Sequence, residues 1–313
     1  MPTREDPGFR VVRMFHPTIH APDLAEAERW FARVFGCSSI SLASMMKGRP
    51  PNPDYPSDYS TFTVVRDVFF DTVDPQRFVL SGIQRYPTVL APRLKTTGWY
   101  VEGTAELVKE LRALGIRSMN LLGEIPSGDA LPSSPGAGSV TFFLVPEDTG
   151  MRYQVMRDGP FPIDPRTAPG WTLPAVAEND PLGIERCSHH TILTSDPRRA
   201  LALVVDALGG EVVHQGRNDE LRANSTFVRI ADAVLEYAVP DASTPAHAEL
   251  GATGPEDCYH AITWRVGDLD RVARHLSAEG VRIRSRSETT IVTAPETSFG
   301  IPWGFTTSIE PGR

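Results

Sequence analysis

The strongest constraint on the fold is an internal repeat in which a histidine stands seven residues before an aspartate. The two copies pair His16 with Asp23 and His189 with Asp196. Each aspartate precedes a run with helical periodicity, where its side chain is well placed to cap the helix N-terminus, and glycine follows each run at the position of a C-terminal cap. Each copy is therefore predicted to open as a strand, a tight turn and a helix.

The second part of each copy also matches. The segments Thr61–Pro75 and Thr226–Pro240 each contain two β-rich runs separated by a short polar turn and closed by a proline. An acidic residue lies four positions before that proline, Asp71 in the first copy and Glu236 in the second. The repeat thus preserves a histidine on its first strand and a carboxylate on its last strand.

A fainter pair of segments, 99–115 and 264–280, repeats a strand followed by a capped amphipathic helix. The sequence therefore predicts four βαβββ modules, which we name A, B, A′ and B′ in chain order, and an α+β fold. The Pro-rich stretch 161–182 is typical of a linker. We expect an N-terminal domain of modules A and B at 1–160 and a C-terminal domain of A′ and B′ at 183–313.

Composition excludes several classes of function. The net charge of -8 and the absence of a Lys/Arg cluster argue against a nucleic-acid partner. The chain has no apolar run of membrane-spanning length and no secretory signal pattern, so we expect a cytoplasmic protein that does not insert into membranes. The cysteines, Cys37, Cys187 and Cys258, are far apart in the sequence and form no CxxC pair. Reduced thiols are therefore expected, and a structural zinc site is not.

A βαβββ module with a histidine on its first strand, an HxxxxxxD motif and a carboxylate on its last strand resembles the vicinal oxygen chelate superfamily. That superfamily includes glyoxalase I, methylmalonyl-CoA epimerase, bleomycin resistance proteins and type I extradiol dioxygenases. The resemblance extends over nearly the whole chain. It implies that paired modules curl into half-barrels, giving two half-barrel domains, and that a metal ion lies in the concavity, bound by the first and last strands.

Carried over position by position, the resemblance implies a metal site made by His189, Glu236 and His260. His189 and Glu236 are in register with the family pattern, whereas His260 is offset by one residue and would need a β-bulge to face the metal. Module A offers His16 and Asp71 as the alternative ligands. Some four-module relatives pair the first module with the last, which would bring those two residues together with His260.

Other residues near the implied concavity are candidates for catalysis and substrate binding. His190 and Tyr259 are predicted to be catalytic, and Tyr237, Trp303 and Phe305 are predicted to contact a planar substrate. Aromatic residues on strands are more often packed in a core than exposed to a ligand.

Imidazole and carboxylate ligands suit Fe(II), which we expect here, as well as Mn(II), Zn(II) or Ni(II), and they leave coordination sites open for a small oxygenated, aromatic substrate. The first functional hypothesis is an extradiol-type ring-cleaving dioxygenase, although the last strand, 301–309, lacks the glutamate of those enzymes. The second is a non-oxidative lyase, isomerase or hydrolase. The third is a metal-free binding or resistance protein. The oligomeric state stays open, with a homodimer as one alternative.

Overall fold

The structure, a computed structural model, describes residues 7–48, 50, 52, 54–128 and 130–308. The chain folds into two compact units. Unit 1 combines the chain up to Phe15 with Thr96–Gly159 and Ile192–Cys258, and unit 2 combines His16–Lys95, Pro160–Thr191 and the chain from Tyr259 onward. The domain boundary at 161–182 stays a prediction. Among the described residues, no helix has both the length and the apolar character needed to cross a bilayer.

The helices are short. The α-helices of the described chain are α1 (Leu24–Trp30), α2 (Leu42–Met46), α3 (Thr104–Ala113), α4 (Pro146–Thr149), α5 (Pro197–Leu201), α6 (Pro245–Ala252) and α7 (Leu269–Ala278). Two π-helical turns, Phe31–Phe35 and Ala202–Ala207, extend α1 and α5, and 3-10 turns lie at Pro165–Thr167 and Pro295–Thr297.

The predicted helix caps form in part. Asp23 caps α1 by accepting hydrogen bonds from the backbone N–H groups of Ala25 and Glu26. Asp196 stands at the equivalent position of α5, but its side chain accepts no capping hydrogen bond there. The repeat therefore predicts where both helices begin, while only the first copy uses the carboxylate as a cap.

The strands form two mixed sheets, of nine and eight strands, and a separate two-stranded ribbon. In chain order they are β1 (Arg10–Met14), β2 (Thr18–His20), β3 (Ser39–Ser41), β4 (Ser60–Val65), β5 (Val68–Val73), β6 (Val79–Leu80), β7 (Ile83–Gln84), β8 (Arg93–Glu102), β9 (Ser118–Met119), β10 (Thr141–Leu144), β11 (Tyr153–Arg157), β12 (Ile184–Leu193), β13 (Glu211–Asn218), β14 (Ala223–Ile230), β15 (Ala233–Pro240), β16 (Cys258–Val266), β17 (Ile283–Arg286), β18 (Thr290–Thr293) and β19 (Trp303–Thr306).

In unit 2, module A forms the strand order β3-β4-β5-β2. Strands β2 and β5 are parallel with Thr18 opposite Asp71, and β4 and β5 are antiparallel with Phe62 opposite Asp71. Side chains alternate between the two faces of a sheet, so Thr18, Phe62 and Asp71 share one face, together with Phe69. Module B′ forms the order β16-β19-β18-β17 in the same unit.

In unit 1, module B forms the order β8-β11-β10-β9, with β1 paired to β8. Module A′ contributes the order β13-β14-β15, in which Phe227 of β14 lies opposite Glu236 of β15. Ser225 is two residues from Phe227 along the same strand, so its side chain is on the same face as the Glu236 carboxylate.

The Pro-rich stretch is tied to unit 2 at the turn between β4 and β5. The Arg166 guanidinium is 2% exposed and forms two hydrogen bonds with the Asp164 carboxylate, at 2.9 and 2.7 Å. Its Nη1 donates to the carbonyl oxygen of Asp67 at 2.8 Å, and Nη2 of Arg66 donates to the carbonyl oxygen of Pro174 at 2.6 Å. A buried ion pair costs desolvation unless its donors and acceptors are satisfied, and these contacts satisfy them.

An aromatic core lies between the sheet of module B′ and the first helix of module A in unit 2. The Trp303 ring is 5.0 Å from Phe35 and 5.9 Å from Phe70, centroid to centroid, and its indole N–H donates to the carbonyl oxygen of Ser298 at 3.0 Å. Trp303 and Phe305 are 1% and 0% exposed. Both residues, predicted to contact substrate, therefore have the contacts of core side chains.

We expect Trp303→Ala to lower the free energy of unfolding by about 3–5 kcal/mol, because it removes a large buried side chain and leaves a cavity. Chemical denaturation measures this loss. Ile40→Ala is the control, since Ile40 is 52% exposed and its truncation should cost less than about 0.5 kcal/mol. A Trp303→Ala protein of unchanged stability would contradict the assignment of Trp303 to the core.

Candidate functional site

The structure brings together two of the predicted site residues, His16 and Asp71, in unit 2. His16 precedes β2 and Asp71 lies on β5. Nε2 of His16 is 3.8 Å from Oδ2 of Asp71. His16 is 3% exposed and Asp71 is 8% exposed. Since 3.8 Å is too long for a hydrogen bond, a nitrogen and an oxygen face each other in a buried place without bonding.

The second polar atom of each side chain, Nδ1 of His16 and Oδ1 of Asp71, has different surroundings. The hydroxyl of Thr18 lies 3.1 Å from Nδ1 of His16. When Nδ1 carries the proton of the neutral imidazole, it donates to this hydroxyl and leaves the lone pair of Nε2 directed toward Asp71. Oδ1 of Asp71 is buried without a hydrogen-bond partner of normal geometry among the described residues, and the Ser60 side chain lies close enough to lower the Asp71 pKa in part. The pair therefore presents an imidazole nitrogen and a carboxylate at the same buried place.

Burial shifts the titration of both groups toward their neutral forms. It lowers the pKa of His16 to about 3, helped by the positive charge of Arg166, and it raises the pKa of Asp71 to about 7. Arg166 lies 5.8 Å from the ring of Phe69, which in turn meets the His16 ring edge-on at 6.2 Å. Near pH 7 the imidazole is neutral and the carboxyl is partly ionised.

This pair fits two positions in the coordination sphere of a divalent metal. Two ligands bonded to one such ion lie about 3–4 Å apart, which includes the distance observed here. The Thr18 hydroxyl is the kind of second partner that fixes the ring of a ligating histidine. Among the described residues, however, no three His, Cys, Asp or Glu side chains are grouped closely enough to hold a metal ion. Further ligands would have to come from solvent or substrate.

The C-terminal ligand set predicted from the sequence is distributed over both units. Glu236 belongs to unit 1, is fully buried, and its Oε1 accepts hydrogen bonds from Nδ2 of Asn218 at 2.7 Å and from the Ser225 hydroxyl at 2.6 Å. His189 and His260 belong to unit 2. Nδ1 of His189 lies 3.1 Å from the Ser188 hydroxyl. A metal site at His189, Glu236 and His260 stays a prediction.

The two predicted catalytic residues, His190 and Tyr259, contact each other in unit 2. Nδ1 of His190 is 2.5 Å from the Tyr259 hydroxyl, and its Nε2 is 3.4 Å from Sγ of Cys187. Burial lowers the pKa of His190 to about 3 and raises the pKa of Tyr259 well above its ordinary value. The tyrosine therefore keeps its proton and can donate it to Nδ1. The contact between Cys187 and His190 was not anticipated, because the two residues are three apart on β12 and side chains of a regular strand alternate between faces.

Tyr237, predicted to contact substrate, lies in unit 1 and is fully buried. Its hydroxyl is 2.9 Å from the hydroxyl of Tyr153, and burial raises its pKa. This pair of tyrosines has the contacts of a core hydrogen bond, and the role of Tyr237 in binding stays a prediction.

Two further residues near Asp71 were missed by the sequence reasoning. The hydroxyls of Tyr55 and Tyr59 are 3.0 Å apart, and the charge of Asp71 contributes to raising the pKa of both phenols, mainly raised by burial. The sequence shows only a Pro-rich loop before β4. The one available signal is the pair of tyrosines four residues apart in that loop.

Asp71→Asn tests the buried carboxyl. Because the folded state keeps the Asp71 proton between its ordinary pKa of 3.8 and about 7, the free energy of unfolding should fall as the pH rises through that range. The variant lacks this loss, so its stability relative to wild type should rise by on the order of 3 kcal/mol between pH 4 and pH 8. His16 changes the free energy of unfolding with pH in the opposite direction. It does so in both proteins, so its effect cancels when the two are compared. Denaturation with a chelator present measures the difference, and a pH-independent difference would contradict the assignment.

Residues 186–305 match the model of the family described as the Glyoxalase/Bleomycin resistance protein/Dioxygenase superfamily. Comparison with curated proteins gives no match. The structure is similar to 4-hydroxymandelate synthase from Streptomyces coelicolor, at 13% identity, with 95% of this chain and 92% of that chain covered and a TM-score of 0.60. It is also similar to a Mn(II)-bound glyoxalase from Novosphingobium aromaticivorans, at 14% identity, 95% and 82% coverage, and a TM-score of 0.57.

At this level of identity the two solved structures establish the fold. The α+β prediction, with two mixed sheets in two half-barrel domains of about eight strands each, is confirmed. The predicted resemblance to the vicinal oxygen chelate superfamily is also confirmed.

Proposed function

We propose that this protein is a metal-dependent enzyme acting on a small substrate with two adjacent oxygens, because residues 186–305 match the model of the glyoxalase, bleomycin resistance protein and dioxygenase superfamily. We place the site at His16 and Asp71. These residues hold in module A the positions that His189 and Glu236 hold in module A′, and module A′ lies within the matched segment. The internal repeat therefore supports a metal-binding role for His16 and Asp71 as well.

One observation carries the proposal, namely the distance of 3.8 Å between His16 Nε2 and Asp71 Oδ2 in a buried place. A nitrogen and a carboxylate oxygen at this separation match the spacing of two ligands of one cation. His16 would bind it through the lone pair of Nε2, held in orientation by Thr18, and Asp71 would bind it through Oδ2. A bound divalent ion would polarise the substrate oxygens as a Lewis acid.

Asp71 can also serve the substrate through its second oxygen. We infer that Oδ1, which has no hydrogen-bond partner of normal geometry among the described residues, accepts a hydrogen bond from a substrate hydroxyl in addition to its interaction with the Ser60 side chain. Residues 301–309 contain no glutamate, unlike the last strand of the extradiol dioxygenases. This departure favours a non-oxidative reaction, such as that of a lyase, isomerase or hydrolase.

The ring-cleaving dioxygenase remains the second candidate. It is favoured by the small number of protein ligands at the pair, since open coordination positions are needed to bind both a diol and O2, with Fe(II) as the metal. Mn(II), Zn(II) and Ni(II) suit the same nitrogen and oxygen donors and would serve the non-oxidative reaction.

Metal binding tests the placement of the site. In titrations of the metal-free protein with Mn(II), His16→Ala and Asp71→Asn should each raise the dissociation constant by at least about tenfold, because each removes one of two protein ligands. Tyr153→Phe, which changes a buried hydroxyl in unit 1, is the control for general disturbance. If instead His189→Ala and Glu236→Gln abolish binding while the first two variants bind normally, the C-terminal set is the metal site and our placement is wrong.

Oxygen consumption separates the two reaction types. We expect no O2 uptake when the Fe(II)-loaded protein is mixed with catechols, because residues 301–309 lack the glutamate of the extradiol dioxygenases. Uptake measured with an oxygen electrode, stoichiometric with ring cleavage and lost in His16→Ala, would establish the dioxygenase instead. A protein that binds no divalent metal at all would support the metal-free binding function.

A further inference from the structure

Residues 161–167, at the start of the Pro-rich stretch, form a closed turn. The Phe161 N–H donates to the Thr167 hydroxyl at 2.9 Å, and that hydroxyl donates to the carbonyl oxygen of Asp164 at 2.9 Å. The Asp164 carboxylate accepts from the backbone N–H of Arg166 at 3.0 Å as well as from its guanidinium. These bonds fix the direction in which the Arg166 side chain leaves the turn.

The Asp164–Arg166 pair is buried and, taken together, carries no net charge. The Asp164 and Arg166 side chains are 0% and 2% exposed. Nη1 of Arg166 donates to the carbonyl oxygen of Asp67 at 2.8 Å, in the turn between β4 and β5. A buried ion pair usually adds little stability compared with apolar side chains of the same volume, because both charges lose their hydration. The use of the pair is therefore to be found in the geometry that it fixes.

Phe69 is the contact that this turn shares with the proposed metal site. The Arg166 guanidinium carbon lies 5.8 Å from the centre of the Phe69 ring, and the Phe161 ring meets it edge-on at 6.3 Å. The His16 ring also meets Phe69 edge-on, at 6.2 Å, and Phe62 stacks on it at 5.4 Å. Phe69 is fully buried. It therefore cannot shift without moving these neighbours.

Two neighbours set the orientation of the His16 ring. Nδ1 lies 3.1 Å from the Thr18 hydroxyl, and Phe69 packs against the ring. The single polar contact leaves the ring free to tilt, and packing against Phe69 limits that tilt. A metal ligand has to be held within about 0.5 Å of its productive position, so a small displacement of Phe69 would weaken binding at Nε2.

We propose that Arg166 is a positioning residue for the metal site, which seats the 161–167 turn on Phe69 and thereby holds the His16 ring in the orientation that binds a cation. Arg166 itself binds neither the metal nor the substrate. Its planar guanidinium suits this role, because it bonds the Asp164 carboxylate through two nitrogens while it lies against the Phe69 ring. This inference rests on the proposed function, since it takes His16 as a ligand.

The double variant Asp164→Asn/Arg166→Ala tests the proposal. It keeps the net charge of the protein, so a change in its Mn(II) affinity cannot come from a lost positive or negative charge. In titrations of the metal-free protein, the dissociation constant for Mn(II) should rise by about tenfold or more, the usual effect of removing a residue that orients a metal ligand. The visible absorption spectrum of bound Co(II) should also change, because it depends on where the ligands lie.

A rescue experiment and a control separate positioning from general damage. Ethylguanidinium added to Arg166→Ala supplies the missing planar group, so it should restore most of the Mn(II) affinity. Arg271→Ala is the matched control, because Arg271 donates to the carbonyl oxygens of Glu178 and Asp180, in the last part of the Pro-rich stretch. This control should bind Mn(II) like the wild type.

Wild-type Mn(II) affinity in the folded double variant, or an equal loss in Arg271→Ala, would overturn the inference. So would a folded Arg166→Ala protein that ethylguanidinium does not rescue. If the double variant does not fold, Phe161→Ala decides. Phe161 is half-buried and lies outside the ion pair, so its truncation removes only the edge contact on Phe69. The Mn(II) dissociation constant should then rise severalfold, and an unchanged value would refute the positioning role.

The two ligand variants distinguish this inference from the proposed function. If His16→Ala and Asp71→Asn keep their Mn(II) affinity, the proposed function fails and this inference fails with it. If those two variants lose affinity while the double variant and Phe161→Ala bind normally, only the positioning role of Arg166 is wrong.

Discussion

The pairing of β2 with β5 is the constraint on which the site depends. It fixes Thr18 opposite Asp71 and sets His16, two residues earlier, beside the carboxylate. In water near pH 7 the carboxyl would be ionised and the imidazole partly protonated, so the two groups would attract each other. Inside unit 2 the cost of desolvation outweighs that attraction, so His16 is neutral near pH 7 and Asp71 is close to its midpoint. The fold therefore holds a neutral imidazole next to a buried carboxyl whose pKa is raised.

The same sheet face surrounds the Asp71 carboxyl with aromatic side chains. Phe62 and Phe69 flank Asp71 on that face and stack on each other. Arg166, buried with Asp164, contributes a positive charge beyond Phe69 that disfavours protonation of His16. Apolar surroundings strengthen every polar contact within them, so each hydrogen bond or ion contact that the Asp71 carboxyl makes there is stronger than in water.

Sequence reasoning located what depends on local pattern. The HxxxxxxD repeat predicted where β2 and α1 begin, and the acidic residue before the closing proline predicted Asp71 on β5. Such features depend on periodicity and capping, which neighbouring residues determine. The repeat also ranked His189 and Glu236 above His16 and Asp71, because glutamate is the usual acid of the superfamily. Nothing in either motif could show that Glu236 accepts hydrogen bonds from Asn218 and Ser225. Likewise, the burial of Trp303 could not be predicted from its place on a strand, since burial depends on contacts distant in sequence.

The location of Mn(II) in crystals grown with that ion, found from its anomalous scattering, tests the central claim most directly. The account predicts a peak between Nε2 of His16 and Oδ2 of Asp71, within bonding distance of both atoms. A peak at the carboxylate of Glu236, with none between His16 and Asp71, would contradict it.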